Sequence, residues 1–310
     1  MKRDIKKLFS SIVILSVAFT LIDILVGFIG EKALKKLPDF GDELCMINYR
    51  LNRVKTDVVI IGSSRARHHY NTEILADSVN NYLGRNYSFY NAGIGGNFIN
   101  CNTCSIESIL NRYKPKLIIF ETNIGGFKKD YWQKHLYKYE PFYRTNQTVK
   151  KFIDNMGWEE RVKIKLNTYR FNSKTWFIIE NLLRPGKTND GYEPLYNNIK
   201  TSSSRKNAPI PNNIENEFSI RNFDNMITLC NKLHVRLIVA SSPRFEPTDN
   251  NELIRSICNR HNTPYIELYN TSFFNNHPEL FYDINHLNND GATIYTRMFF
   301  EELKPYLEEL

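Results

Sequence analysis

At 310 residues the chain is long enough to bury a large core, as one domain of enzyme size or two smaller ones. Its content of 42% hydrophobic and 24% charged residues excludes a disordered or collagen-like polypeptide. The net charge of +8 would suit a nucleic-acid binder, but the Lys and Arg residues are scattered, with no basic helix or RNA-binding signature, so that class is set aside and anionic lipid or an acidic polymer fits better.

Phe9 to Ile29 is almost wholly apolar, interrupted by small residues, Thr20 and Asp23, and is long enough to cross a bilayer as a helix. Lys2, Arg3, Lys6 and Lys7 precede it, as in a signal or signal-anchor sequence, and no small-x-small cleavage site follows. Residues 1–30 are therefore expected to be a cytoplasmic basic tail and an uncleaved single-pass anchor at the cell membrane, with the rest extracytoplasmic. Lys32, Lys35 and Lys36 beyond the span dilute that charge bias. Asp23 is read as a residue near the outer end whose carboxylate reaches the interface; contact with a partner inside the membrane is the alternative.

Residues 31–55 read as a linker with a helical or irregular segment. Residues 56–310 read as the main domain. Asp57-Val58-Val59-Ile60-Ile61 is a continuous apolar run, as expected of a strand buried on both faces. A helix is predicted around His69 to Leu83, a strand at Tyr87 to Asn91, a helix at Phe98 to Tyr113, and a third buried strand at Lys116 to Glu121. Cys101 and Cys104 have redox or metal spacing. No second pair or His cluster stands beside them, so two partly buried thiols are expected, and neither a metal nor an organic cofactor.

The alternation then breaks. From about 127 to 213 the chain is rich in aromatic residues, Asn and Lys, with amphipathic stretches at Thr148 to Leu166 and Lys174 to Leu183. This region reads as a largely helical insertion ending in an exposed loop over Thr201 to Asn213. Tyr131, Trp132, Tyr137, Tyr139, Phe142, Tyr143, Trp158 and Trp176 are expected to form its core, a sugar-stacking surface being the alternative. Alternation resumes with a helix at Ile214 to Leu233, a strand at Arg236 to Ala240, a helix at Asn251 to His261, a strand at Pro264 to Leu268 and a last helix at Ala292 to Leu307. Such repetition predicts an α/β fold: a central parallel sheet of five strands with helices on both faces, in three layers.

Reactive residues in such sheets gather beyond the carboxyl ends of the strands. Ser64 follows the first strand, where a helix N-terminus and backbone N–H groups favour a developing negative charge. His286 is the candidate base, because imidazole titrates near neutrality, and Asp283 is placed to orient its ring. Gly96, after the second strand, offers a backbone N–H that no side chain blocks, and Asn123, after the third, offers an amide. With the Ser64 N–H these make three donors for an oxyanion. Bland alternatives stand beside these: Ser64 as a helix cap, Ser63 as the reactive hydroxyl, His286 as a satisfied surface or core histidine, the glycines as a tight turn, Asn123 as a strand-end residue. Arg65 is read either as a binder of an anionic substrate group or as the partner of a carboxylate. His68 and His69 are expected to be solvated.

These blocks resemble those of the SGNH hydrolases, the superfamily of GDSL-type esterases and lipases. Gly62-Ser63-Ser64 is similar to the first block, Gly96 and Asn123 fall at the second and third, and Asp283 and His286 match the last. The resemblance covers roughly Asp57 to Leu307 apart from the insertion, and departs from the family where Ser63 replaces an Asp and where Glu121-Thr122-Asn123-Ile124 keeps only the Asn. It implies a flavodoxin-like sheet and a Ser64–His286–Asp283 triad, with Gly96, Asn123 and Ser64 as the oxyanion hole. It also implies an esterase acting on acyl esters, acetyl above all, of an envelope glycan or lipid. The same triad serves an O-acyltransferase for surface polysaccharide, and the same fold a non-catalytic glycan-binding or assembly protein. Membrane contact is expected through the N-terminal helix, no nucleic acid is expected, and no protein partner is indicated.

Overall fold

Val58-Val59-Ile60-Ile61 and Leu117-Ile118-Ile119-Phe120 have no polar side to turn to water, and their β-branched residues favour extended backbone. Both become fully buried strands, β1 (Val58–Ile61) and, further on, β3 (Leu117–Glu121). The computed structural model describes residues 2–127, 135–184, 186, 190–199, 216–247, 250–308 and 310. In chain order its helices and strands are α1 (Lys2–Lys36), α2 (Glu43–Asn52), β1, α3 (Ser64–His69), α4 (Thr72–Leu83), β2 (Phe89–Asn91), α5 (Ile99–Arg112) and β3. Then come α6 (Gln147–Asp154), α7 (Trp158–Lys163), α8 (Asn167–Arg170), α9 (Lys174–Leu183), α10 (Glu217–Lys232), β4 (Arg236–Ser241), α11 (Glu252–Arg260), β5 (Tyr265–Glu267), α12 (Ser272–Asn275), β6 (Phe281–Asp283), β7 (His286–Leu287) and α13 (Asn289–Leu303). The loop expected at 201–213, and Tyr131 and Trp132, lie outside the described residues.

The chain divides into two compact units, Tyr49–Tyr137 with Lys187–Leu310 and Met1–Asn48 with Lys138–Gly186. In the first, five strands form one sheet in the order β2-β1-β3-β4-β5, and every neighbouring pair is parallel. Helix α5 packs with α10, and α13 packs with α3 and α4, giving the three-layer α/β/α arrangement. Alternate residues Val58, Ile60, Leu117 and Ile119 meet Tyr295 and Phe299 of α13 in one buried cluster, as the period of two requires. A cavity of about 680 Å³ lined by Lys116, Arg236 and Pro264 opens at the amino ends of β3, β4 and β5, opposite the end that carries Ser64.

In the second unit α1 continues unbroken to Lys36, past the point where the sequence suggested a linker, and α2 forms within that stretch as well. Asp23, Gly27, Gly30 and Leu34 make one buried stripe along α1, which packs on α8 and α9. Asp23 does not reach outward. Its carboxylate accepts from the Thr168 N–H and hydroxyl, both at 2.7 Å, and from Asn167 Nδ2 at 3.0 Å. The aromatic residues divide: Tyr139, Phe142 and Tyr143 are buried with Val149, Phe152 and Ile153, whereas Tyr137, Trp158 and Trp176 are exposed.

Candidate active site

Ser64 opens α3 directly after β1, and its side chain faces the β6–β7 hairpin. Ser64 Oγ lies 2.7 Å from His286 Nε2. His286 Nδ1 lies 2.9 Å from both carboxylate oxygens of Asp283. The hairpin explains how residues so close in sequence face one another. Asp283 Oδ1 also accepts the backbone N–H groups of Asn285 (2.7 Å) and His286 (2.9 Å), an Asx turn that closes the loop between the paired residues Asp283 and His286. Burial pushes the Asp283 carboxyl up, and the donors from His286 and Asn285 more than offset it, so it ends below the usual carboxylate range. A carboxylate there accepts the Nδ1 proton and leaves the Nε2 lone pair toward the Ser64 hydroxyl. Ser63 precedes the helix with extended backbone and makes no side-chain cap.

The loops after β2 and β3 flank Ser64, because β1 lies between those strands. Gly96 has φ of +67°, the left-handed region that favours glycine, and a Cβ there would come within 2.8 Å of His135 Cε1. Its identity therefore has a conformational reason beside any role as donor. Asn123 Oδ1 accepts the Gly125 N–H at 2.9 Å, which leaves Nδ2 as the donor of that side chain.

Beneath these groups lies a buried polar network that the sequence did not reveal. Glu121 is 1% exposed at the end of β3. It accepts from Tyr70 Oη (2.7 Å), the Ser242 N–H (3.0 Å) and the Ser242 hydroxyl (3.0 Å), and pairs with Arg65 Nε at 3.3 Å. Burial pushes the Glu121 carboxyl up, against the pull of Arg65 and these donors. Arg65 also donates to the Ser242 carbonyl and lies over the Tyr269 ring. Of the two readings of Arg65, the carboxylate pair is the one the structure contains. Its guanidinium is buried and committed, so substrate binding by Arg65 is withdrawn.

His69 is another correction. It is fully buried, not solvated, because α3 turns it inward under the hairpin. Its Nε2 accepts the Leu287 N–H at 3.0 Å, so Nδ1 carries the proton and donates to Ser242 Oγ at 2.8 Å. Burial and the nearby Arg65 charge hold its pKa well below the ordinary value, keeping the ring neutral. The network thus ties the residue after Ser64 to the residue after His286. His68 is half-buried: it donates from Nδ1 to the Glu193 carbonyl at 2.7 Å and stands edge-on to His286 with ring centroids 5.6 Å apart. Glu193 belongs to a stretch, 190–199, that pairs along β2 at Asn91 and binds Arg67 and Phe281 through its backbone. An acidic residue closing a buried strand was the signal for Glu121, since such a group needs a partner. Ser242 was marked only by its place in Ser241-Ser242-Pro243 after a strand, and nothing marked Glu193.

No family model matches the chain, and no curated protein matches it. Solved structures do. The acetyl xylan esterase AlAXEase is 13% identical and covers 79% of this chain and 99% of its own, with a TM-score of 0.41. A lipase/acylhydrolase from Enterococcus faecalis is 11% identical over 80% of this chain and 96% of its own, with a TM-score of 0.40. A mutant of Axe2, an acetyl-xylooligosaccharide esterase from Geobacillus Stearmophilus, is 11% identical over 79% of this chain and 93% of its own, with a TM-score of 0.42. At that level these likenesses carry no functional weight, and the chemistry is read from the atoms of the site.

Proposed function

We propose that this chain is a membrane-anchored serine esterase of SGNH type that cleaves acyl esters, acetyl among them, of an envelope glycan or lipid. One observation carries the reading: a hydroxyl, an imidazole and a carboxylate stand in series, 2.7 Å and 2.9 Å apart, at the carboxyl end of a parallel sheet. Ser64 is the nucleophile. His286 takes its proton as Oγ attacks the acyl carbonyl, then returns that proton to the departing alcohol. Asp283 fixes the ring tautomer and stabilises the imidazolium. The Ser64 N–H, the Gly96 N–H and Asn123 Nδ2 hold the oxyanion, each such donor being worth about 3 kcal/mol of barrier. Water enters against the acyl-enzyme, activated by the same His286, and frees the acid.

Helix α1 is long and apolar enough to cross a membrane and supports the anchor. The basic residues before the span support an extracytoplasmic domain. Purified protein should hydrolyse p-nitrophenyl acetate and label at Ser64 with a fluorophosphonate. Ser64→Ala should abolish both while leaving the circular dichroism spectrum intact. Undiminished hydrolysis in that variant would remove Ser64 from the reaction.

A further inference from the structure

Two helices that flank α8 in the chain turn large apolar residues to solvent. Helix α7 is of mixed character, with exposed Glu159, Arg161 and Lys163 beside large apolar residues. Its polar Glu160 is buried and accepts from Tyr169 Oη at 3.0 Å, while Trp158 (70% exposed) and Val162 (58%) point out. Helix α9 buries Ile178 and Asn181, yet Trp176 (69% exposed), Ile179 (44%) and Leu183 (76%) lie along its outer face at spacings of three and four. A helix that exposes tryptophan and aliphatic residues next to charged ones suits a membrane surface, where the apolar side chains meet the acyl boundary and the charges the headgroups. Leu166, between α7 and α8, is 43% exposed and extends the same apolar character.

What covers this face follows from α1. We infer that α7 and α9 lie in the interface of the lipid bilayer, alongside the outer end of the α1 span; this rests on the reading of α1 as a membrane anchor. Helix α8 sits directly against α1: a Cβ on Gly27 would fall 2.4 Å from Asn167 Cγ, and one on Gly30 would fall 2.6 Å from the Phe171 ring. The contact begins at Asp23, inside the apolar run, where Thr168 and Asn167 satisfy the carboxylate. On the other side of α1, at the same level, Ile22, Leu25, Phe28 and Ile29 are 54–58% exposed. If those residues are solvated by lipid, the last stretch of the span, about 9 Å at 1.5 Å per residue, is flanked by α8 at hydrocarbon depth. Connections of three residues on either side of α8 hold α7 and α9 near it. Two tryptophans on the outward faces suit the headgroup boundary, where an amphipathic ring is stable.

The test uses the full chain reconstituted in vesicles of phosphatidylcholine and phosphatidylglycerol, with or without lipid brominated near the headgroup end of its acyl chains. The protein has three tryptophans, so Trp132→Phe combined with Trp158→Phe or Trp176→Phe leaves one reporter at a time. Each reporter should emit at a blue-shifted wavelength, lose emission in brominated vesicles and resist acrylamide. Carbonate extraction of the same vesicles reports separately on α1. Protein that resists extraction while both reporters ignore bromine and yield to acrylamide would overturn the interfacial placement and leave the anchor standing, with a protein partner as the remaining occupant of the face. Protein released by carbonate would overturn anchor and interface together. Neither outcome touches the esterase reading, which the Ser64 probe tests by itself.

Discussion

Glu121→Gln is the sharpest probe of how the site is held. The Glu121 side chain is fully buried and its partner Arg65 is 5% exposed. Its contacts at one oxygen are Arg65 Nε and the Ser242 hydroxyl, and at the other Tyr70 Oη and the Ser242 N–H. A glutamine has a single acceptor oxygen. Whichever end receives its NH₂ group meets an obligate donor, the Arg65 guanidinium or the Ser242 amide, and Arg65 is left as a buried cation without a counter-charge. Removing one partner of a buried pair costs about 3–5 kcal/mol, which for a unit of this size lowers Tm by roughly 6–20 °C. Differential scanning fluorimetry of the purified protein measures this. Arg65→Met in the Glu121→Gln background removes the stranded charge and should recover most of the loss, so the cycle is strongly non-additive. A shift within about 1 kcal/mol for Glu121→Gln, or strict additivity of the two changes, would show that the pair does not hold this end of the sheet.

Asn123→Asp keeps the oxygen that accepts the Gly125 N–H and removes the only side-chain donor. It should lower kcat by about 10²–10³ with Tm nearly unchanged; undiminished turnover would exclude Asn123 from the oxyanion hole. Asp283 has its pKa depressed below the ordinary 3.8 in the folded protein. Its contribution to stability is therefore complete above that value and is lost as pH falls through the lower, folded-state pKa. Urea unfolding from neutral pH down to acid should show a loss below about pH 4 that Asp283→Asn flattens, and identical acid profiles for the two proteins would contradict the assigned hydrogen bonds.

Much of the fold was legible because the signals were local. The apolar runs at Val58 to Ile61 and Leu117 to Phe120 require burial on both faces, and strand alternating with helix leaves a parallel sheet as the solution. The element ends differ by a few residues, as at Tyr265–Glu267, because hydrogen bonding to neighbours sets them. Ser64, Asp283 and His286 stood out for their residue types and their positions after strands or before the last helix. His69 did not, since an imidazole reads alike in sequence whether it meets water or a buried partner, and Glu121 was marked only by its place at the end of a buried strand, which does not name its partner. Arg65 was ambiguous for the same reason.

Sequence alone determined the five sheet strands and the main helices between them, the apolar N-terminal helix and the residue types from which a nucleophile, a base and an orienting acid are drawn, because hydropathy period and chain position act within a few residues; it did not foresee the β6–β7 hairpin that carries Asp283 and His286. Tertiary structure alone decided that Ser64 Oγ and His286 Nε2 come to 2.7 Å, that Arg65 turns inward to Glu121, and that Asp23 is satisfied by Thr168. Each of these joins groups far apart in the chain, and the packing of one element on another sets their distance.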